Sequence, residues 1–106
     1  MAIRPLYSTR FLAWAADGTP PAYTVPTGYI AVVRDIDVWS GGGAQINYQV
    51  SVNAVAKFWA GQFSILAIAQ VGQWRGRQVV MPGEDLVFAA DGAVDGMISG
   101  YLLSQP

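Results

Sequence analysis

The ten residues AQINYQVSVN, at positions 44–53, alternate between apolar and polar side chains without exception. Side chains two residues apart point to the same face of a β-strand, whereas a helix brings together residues three or four apart. The apolar face would carry Ala44, Ile46, Tyr48, Val50 and Val52. The stretch therefore predicts a strand with one face in a hydrophobic core and the other toward water.

The rest of the chain shows short apolar stretches of the same kind between turn residues. Strands are predicted at 6–15, 29–39, 62–71, 77–81, 85–90 and 95–104, with shorter ones near 22–25 and 55–59. No window keeps a helical period over about ten residues without a glycine, proline or β-branched residue, so little helix is expected. Strands at this spacing predict an all-β antiparallel β-sandwich, jelly-roll-like, with about eight strands.

Two of these stretches carry more detailed expectations. In 29–39 the alternation predicts one face made of Ile30, Val32, Arg34, Ile36 and Val38. Glycines at 41–43 follow and predict a hairpin into 44–53, because glycine adopts the positive φ that tight turns need. The stretch 62–71 has apolar residues on both faces, which predicts a strand that is deeply buried or lies at an interface.

The length and composition of the chain set limits on its assembly. At 106 residues it is expected to form a single β-sandwich domain over 1–106, with a short N-terminal arm at 1–5. Hydrophobic residues make up 53% and charged residues 12%, against about a quarter charged in ordinary soluble domains. Because so small a domain has too much surface to bury this surplus by itself, the composition predicts a homo-oligomer.

Charge and hydropathy argue against several other classes of partner. The formal net charge is −1 and the six basic residues are scattered, so the basic patch of a nucleic-acid-binding protein is missing. The longest purely apolar run, 65–69, is far shorter than the roughly 20 residues that cross a bilayer. The N-terminus lacks the continuous apolar segment of a secretory signal, and the absence of cysteine suits a reducing cytosol.

The residue types needed for most catalytic sites are also missing. The chain has no histidine, no cysteine and a single lysine, Lys57, so a Ser-His or Cys-His nucleophile cannot be assembled. The glycines at 41–43 and 72–76 lead into strands and not into the helix that a phosphate-binding loop requires. The acids at 35, 37, 84, 85, 91 and 95 are interpreted as turn residues or ion-pair partners, although turn carboxylates could also ligate calcium. The sequence predicts no enzyme and identifies no catalytic, metal or cofactor-binding residue.

One segment, GQWRGRQVVMPGEDLVF at 72–88, combines features of a turn with features of a contact surface. Trp74 lies between Gly72 and Gly76, next to Arg75 and Arg77. The two glycines allow sharp bends, and the Pro-Gly pair at 82–83 predicts a chain reversal. The segment is therefore interpreted as a corner of the scaffold and a contact surface, and not as an anion pocket.

Tryptophan beside arginine is typical of interface hot spots and of platforms on which sugars stack, and the alternative for both Trp39 and Trp74 is ordinary packing in the core. Trp39, beside Ser40 and three glycines, is expected at a loop end as well. Because an isolated surface ion pair contributes at most about 1 kcal/mol, Trp74 would contribute more to such an interface than its neighbouring arginines. The candidate subunit-interface residues are Trp39, Trp74, Arg75, Arg77 and Arg34.

The stretches VPTGYIAVVRDIDVWSGGG, QWRGRQVVMPGEDLVF and SGYLL together resemble small β-sandwich virion proteins of tailed bacteriophages, of the minor tail, tail-tip or head-decoration type. The resemblance implies a non-enzymatic structural subunit, assembled in the host bacterial cytoplasm. It also implies a symmetric homo-oligomer, commonly a trimer, in contact with other virion proteins. The alternative is a carbohydrate-binding module for host-surface recognition, which would stack a host glycan on Trp39 or Trp74 with Asp35 and Asp37 nearby.

Overall fold

A computed structural model describes residues 9–41, 45–64 and 70–104, and these residues form eight strands and no helix. In chain order the strands are β1 (Thr9–Asp17), β2 (Tyr23–Thr24), β3 (Tyr29–Ser40), β4 (Ile46–Val52), β5 (Ala56–Phe63), β6 (Gln70–Val80), β7 (Asp85–Ala90) and β8 (Val94–Ser104). Sheet A has the order β1-β8-β3-β6 and sheet B the order β2-β7-β4-β5, with every pairing antiparallel. The prediction of an antiparallel β-sandwich of about eight strands is confirmed.

The pairing order follows a simple rule along the chain. Each strand of the first half pairs with its counterpart counted from the end, giving β1–β8, β2–β7, β3–β6 and β4–β5. The chain is therefore folded as one long antiparallel hairpin that wraps around a core. The pairings β3–β8 and β4–β7 connect successive strand pairs of this hairpin into the two sheets. This is the winding of a jelly roll, as the sequence predicted.

The core lies between the two sheets and is built from the alternating side chains of each strand. Ile46, Tyr48 and Val50 are buried on the inner face of β4, as the 44–53 pattern predicts. The largest side chains that are almost completely buried around them are Phe63, Phe88, Ile36, Leu86 and Ile98. Both sheets contribute to this set, so neither sheet could bury its apolar face alone.

The predicted faces of β3 are wrong on the N-terminal side of Arg34. The register between β3 and β8 shifts between Val33 and Asp35, which leaves Arg34 as an extra residue in β3. Such a β-bulge exchanges the two faces of a strand, because the side-chain period is two. Ala31 and Val33 therefore join Ile36 and Val38 in the core, whereas Ile30, Val32 and Arg34 lie on the other face.

Gly100 of β8 makes room for this bulge. A side-chain carbon at position 100 would collide with the backbone carbonyl of Val32 and would lie 3.1 Å from the Arg34 backbone nitrogen. Only glycine allows the two backbones to approach this closely. The sequence signal for the bulge is therefore in a strand far along the chain and not in β3 itself.

Two predicted connections also differ from the structure. β3 and β4 belong to different sheets, so Gly41 begins a crossover and not a hairpin; residues 42–44 lie outside the described residues. The predicted strand 62–71 is not continuous, because β5 ends at Phe63 and β6 begins at Gln70. The Gln70 side chain hydrogen-bonds both the N–H and the carbonyl of Ser64, the residue that follows β5. Residues 65–69 and the predicted arm at 1–5 lie outside the described residues.

The edge strands β5 and β6 approach each other around the tip of Tyr48. The Tyr48 ring centroid lies 5.0 Å from that of Trp59 and 4.9 Å from that of Phe63. A side chain at Gly61 or at Gly72 would overlap the Tyr48 hydroxyl. Burial raises the pKa of Tyr48, as expected for a phenol inserted between two strand edges.

This arrangement predicts that the two glycines respond differently to loss of the Tyr48 hydroxyl. Gly72→Ala should destabilise the fold by about 1–3 kcal/mol through overpacking. Tyr48→Phe should relieve much of that cost, because the added methyl group then lies 3.0 Å from Tyr48 Cζ and 3.1 Å from Val38 Cγ2. Gly61→Ala should gain little from the same change, because Tyr48 Cζ and Cε1 remain 2.5 and 2.9 Å away. Urea unfolding of the three single variants and of the two double variants with Tyr48→Phe measures this. Equal relief by Tyr48→Phe at both glycine positions would contradict it.

Asp91, in the turn between β7 and β8, holds the start of β4. Its carboxylate accepts hydrogen bonds from the Asn47 backbone N–H at 2.8 Å and from Asn47 Nδ2 at 3.0 Å. Its own N–H donates to the Asn47 carbonyl at 3.1 Å. The hydrogen bonds from Asn47 favour the charged form and lower the pKa of Asp91.

The lowered pKa of Asp91 predicts how its contribution depends on pH. A carboxyl group with a lower pKa in the folded state stabilises that state at pH values above its unfolded pKa, about 3.9. This contribution is lost as the pH falls through the folded pKa. The wild type should therefore be more stable than Asp91→Asn at neutral pH, and the difference should shrink at acid pH. Thermal unfolding of both proteins across the acidic range measures this, and a difference independent of pH would exclude the interpretation.

Candidate functional site

The outer face of sheet A carries its side chains in rows that cross all four strands. One row contains Arg10, Ser99, Asp35 and Arg75. The adjacent row contains Ala13, Met97, Asp37 and Gln73. A third row, beyond the Ser99 row, contains Tyr101, Val32 and Val79, because the bulge at Arg34 exchanges the faces of β3. A fourth row, beyond the Met97 row, contains Asp95, Trp39 and Val71.

Arg75 forms the central polar contact of this face. Its Nε lies 3.2 Å from Asp35 Oδ1 and its Nη2 lies 2.8 Å from Asp37 Oδ1. Its Nη1 donates to the carbonyls of Ile36 and Trp74 at 3.2 and 3.0 Å. The hydrogen bond to Asp37, and the charges of Asp37 and Asp35, raise the pKa of Arg75. About half of the Arg75 side chain is exposed, so the cluster orients the guanidinium more than it stabilises the fold.

Arg34 and Arg77 meet at a second irregularity, between β3 and β6. Arg34 stands opposite Gly76 and Arg77, because the register shifts between Val33 and Asp35 here as well. Within the described ranges, neither Arg34, Arg77 nor Arg10 has an ion pair or hydrogen bond through its side chain. The carboxylates, by contrast, all accept a hydrogen bond or an ion pair, at positions 17, 35, 37, 84, 85, 91 and 95. The face therefore offers cations that the subunit itself does not neutralise.

Apolar side chains lie on both sides of this polar centre. Trp39 is 39% exposed and stands beside Val71, which is 64% exposed. On the other side Val79 is 47% exposed and pairs with Val32, which lies on the outer side of the sheet but is only 4% exposed. Tyr101 pairs with Val32 from β8. Each end of the face thus carries an exposed valine and an aromatic ring, and Asp95 lies beside Trp39 at one of them.

Trp74 is placed differently from the other four candidate residues. It pairs with Ile36 on the inner side of sheet A, is half-buried against the core, and meets Phe58 edge-on at 5.3 Å. The expected corner around it is wrong, because β6 continues through Gly72 and Gly76 as one strand with a local bulge. The chain turns later, at Pro82 and Gly83, where Gly83 has a φ of 81°.

The outer face of sheet B has a different composition. Its β4 positions are Asn47, Gln49 and Ser51. Small or amide side chains such as Ala60, Gln62 and Ala89 face Asn47 and Gln49, whereas Lys57 and Val87 face Ser51. The structure therefore brings Trp39, Arg34, Arg75 and Arg77 together on one sheet, and the strands of the other sheet carry no arginine. Sequence reasoning missed Val71, Val79 and Tyr101 as part of this surface, and it did not place Val32 beneath them. The alternation in 95–104 could have indicated Tyr101, but the bulge concealed Val32.

No protein-family model, curated protein or solved structure matches this chain. Within residues 9–41, 45–64 and 70–104, no three His, Cys, Asp or Glu residues are grouped so that they could hold a metal ion. The same residues contain no helix that is long and apolar enough to span a bilayer. The outer face of sheet A is the candidate functional site because four of the five candidate residues lie together on it.

The placement of the two tryptophans predicts different effects on the isolated subunit. Trp74→Ala should lower the free energy of unfolding by at least about 2 kcal/mol, because it removes a ring packed against the core. Trp39→Ala should cost less than about 1 kcal/mol, because Trp39 is exposed. Chemical denaturation at a concentration that keeps the protein monomeric measures both values. Equal losses for the two variants would mean that Trp39 also supports the core.

Proposed function

We propose that this protein is a non-enzymatic structural subunit of a bacteriophage virion, of the minor tail or capsid-decoration type. The outer face of sheet A is the surface through which it binds copies of itself and other virion proteins. The observation that carries the proposal is the contrast between the two outer faces. Trp39, Tyr101, exposed valines and four arginines lie on one face, whereas the other carries mostly small or amide side chains, with Lys57 and Val87 opposite Ser51.

Part of this composition is typical of a protein–protein interface. Interface cores are enriched in aromatic residues, methionine and arginine and depleted in lysine, aspartate, glutamate, serine and alanine. The aromatic residues and arginines of the face follow this trend, whereas Asp35, Asp37 and Ser99 do not. The face contains Met97 as well as the aromatic residues and arginines, and the chain's single lysine, Lys57, lies in strand β5 of sheet B. Trp39 is the expected hot spot, because a tryptophan that becomes buried between arginines and valines contributes more than a rim charge.

The virion context is supported by the fold and by the resemblance of the turn and strand stretches to phage β-sandwich proteins. Jelly rolls recur in viral capsid domains and also in lectin domains. The same architecture also hosts unrelated functions, so the fold supports the proposal only by analogy. The one-sided composition of the face is specific to this chain.

A carbohydrate-binding module for host-surface recognition is the second candidate, and one observation favours it. Trp39 is exposed next to Asp95 and Asp37 on the same face, with Gln73 opposite Asp37. An exposed indole flanked by carboxylate and amide groups can stack a sugar ring and hydrogen-bond its hydroxyls. Trp74 does not offer this platform, because it packs against Phe58.

The proposal predicts that Trp39→Ala weakens assembly by roughly 2 kcal/mol or more while the subunit stays folded. Light scattering and sedimentation over a concentration series measure assembly, and protein mass spectrometry of purified phage particles tests for the subunit in the virion. Gln49→Ala, on the outer face of sheet B, is the matched control and should assemble as the wild type does. A monomer at micromolar concentration that is unchanged by added virion proteins would contradict the proposal. A glycan-array signal abolished by Trp39→Ala would favour the carbohydrate-binding alternative.

A further inference from the structure

We infer that the outer face of sheet A binds an extended segment of another protein through a carboxylate of that segment. The carboxylate lies between Arg34 and Arg77, and an apolar side chain of the same segment lies over Val79. This inference deepens the proposed function, since it rests on that face being the contact surface and names the chemistry of the partner. A pair of unpartnered arginines beside an exposed valine carries it.

Arg34 and Arg77 stand opposite each other on the outer side of neighbouring strands. The register of β3 and β6 shifts so that Arg34 faces both Gly76 and Arg77, and both arginines are exposed. Gly76 faces inward, where an added side-chain carbon would lie 2.8 Å from Trp74 Cζ2, so the next residue, Arg77, faces outward. The first side-chain carbons of opposed residues lie about 5 Å apart, so the two guanidinium groups can reach one ligand.

The subunit supplies no anion to this pair. Within the described residues, neither Arg34 nor Arg77 has a hydrogen bond or an ion pair through its side chain. The carboxylates that follow along β3, Asp35 and Asp37, are held by Arg75. Like charges in directly opposed positions destabilise a strand pair. The arginine pair is therefore unfavourable for the isolated subunit, and an anion between the two guanidinium groups removes that cost.

The surrounding charges favour a carboxylate from a different protein. Each chain has seven acidic residues, and all seven already accept a hydrogen bond or an ion pair within their own subunit. A second copy therefore has no unengaged carboxylate to offer. A polyanion such as DNA would bring further phosphates near Asp35 and Asp37, and the net charge of −1 opposes its approach. A single carboxylate matches the planar, multi-donor geometry of arginine without that repulsion.

The spacing of the apolar side chains determines the form of the segment. Val32 and Val79 lie two residues beyond the two arginines along β3 and β6, and Ile30 and Leu103 form the next pair on the same side. Val79 is 47% exposed and offers the contact, whereas Val32 is 4% exposed. An extended segment that lies along the strands also repeats every two residues, about 7 Å. It therefore carries a carboxylate at one position and apolar side chains two and four positions further on.

Synthetic peptides test this pattern. Acetyl-Glu-Thr-Val-Thr-Leu-amide has the inferred spacing, and acetyl-Gln-Thr-Val-Thr-Leu-amide lacks the carboxylate. Acetyl-Glu-Val-Thr-Leu-Thr-amide has the composition of the first peptide, but its apolar side chains lie on the face opposite the carboxylate. In titrations followed by NMR of the arginine Nε–H groups, the first peptide should shift the signals of Arg34 and Arg77 saturably. The other two should bind at least about five-fold more weakly.

Matched variants assign the binding to these side chains. Arg34→Gln and Arg77→Gln should each weaken binding of the first peptide roughly 3- to 10-fold and stay folded, because each removes a like-charge contact. Val79→Thr should also weaken it, because the apolar contact is lost. Arg10→Gln, at an unpartnered arginine two strands away on the same face, is the control for charge. Val71→Thr, at the other end of β6, is the control for the valine, and both controls should bind as the wild type does.

Three results overturn the inference. The first is the absence of saturable shifts at about 10 mM peptide, a concentration that detects a dissociation constant of about 1 mM. The second is equal binding of all three peptides, or loss of binding in Arg10→Gln and not in Arg34→Gln. The third is tighter binding of a double-stranded oligonucleotide than of the first peptide, which would assign the arginines to a polyanion.

The proposed function has a separate readout. If the first peptide does not bind, detection of the subunit in purified phage particles still supports the function while this inference fails. If the first peptide binds with the expected specificity and the subunit is absent from particles, the function is rejected and the carboxylate site stands.

Discussion

The bulge at Arg34, seated on Gly100, determines which residues of the longest strand meet the core. Before the bulge the core receives Ala31 and Val33, and after it the core receives Ile36 and Val38. Without the extra residue, a strict alternation would bring Asp35 and Asp37 to the side that Val33 occupies. Two carboxylates facing the apolar side chains of sheet B would carry a large desolvation cost. The exchange of faces is therefore a condition for the sandwich to form.

The same bulge creates the surface on which function is proposed. It turns Val32 outward next to Tyr101 and Val79, and it directs Arg34 and Asp35 to the same side. Arg75 then reaches across from β6 to both aspartates, which fixes the edge strand in register on the C-terminal side of the irregularity. This contact is exposed, so its contribution lies in the choice of register and orientation more than in free energy.

The sequence predicted the parts of the fold that depend on local pattern. The inner face of β4 and the bounds of β7 follow from strict alternation flanked by turn residues, and both agree with the structure. The predictions failed where a distant residue decides the outcome. Gly100 permits the bulge in β3, yet nothing within β3 itself shows where that bulge falls. The crossover after Gly41 was missed for a related reason, because glycines allow a reversal without specifying which sheet the next strand joins.

The two tryptophans of sheet A show what alternation can and cannot determine at the candidate site. Trp39 and Trp74 both stand near glycines and charged residues, so local composition assigns them the same role. Period-two parity places Trp74 with Gly72, whose position contacts Tyr48, and so on the inner side of β6. Trp39 lies one residue beyond Val38, a core residue, and so points outward. The two-residue period thus shows which residues of one strand share a face. It does not show which face meets the core until one residue of that strand is known to be buried. For β6 that neighbour is Val80, at the far end of the strand, and the irregularity at Gly76 and Arg77 lies between it and Trp74. A surface assembled from two bulged strands can therefore be identified only after the core partners of both strands have been established.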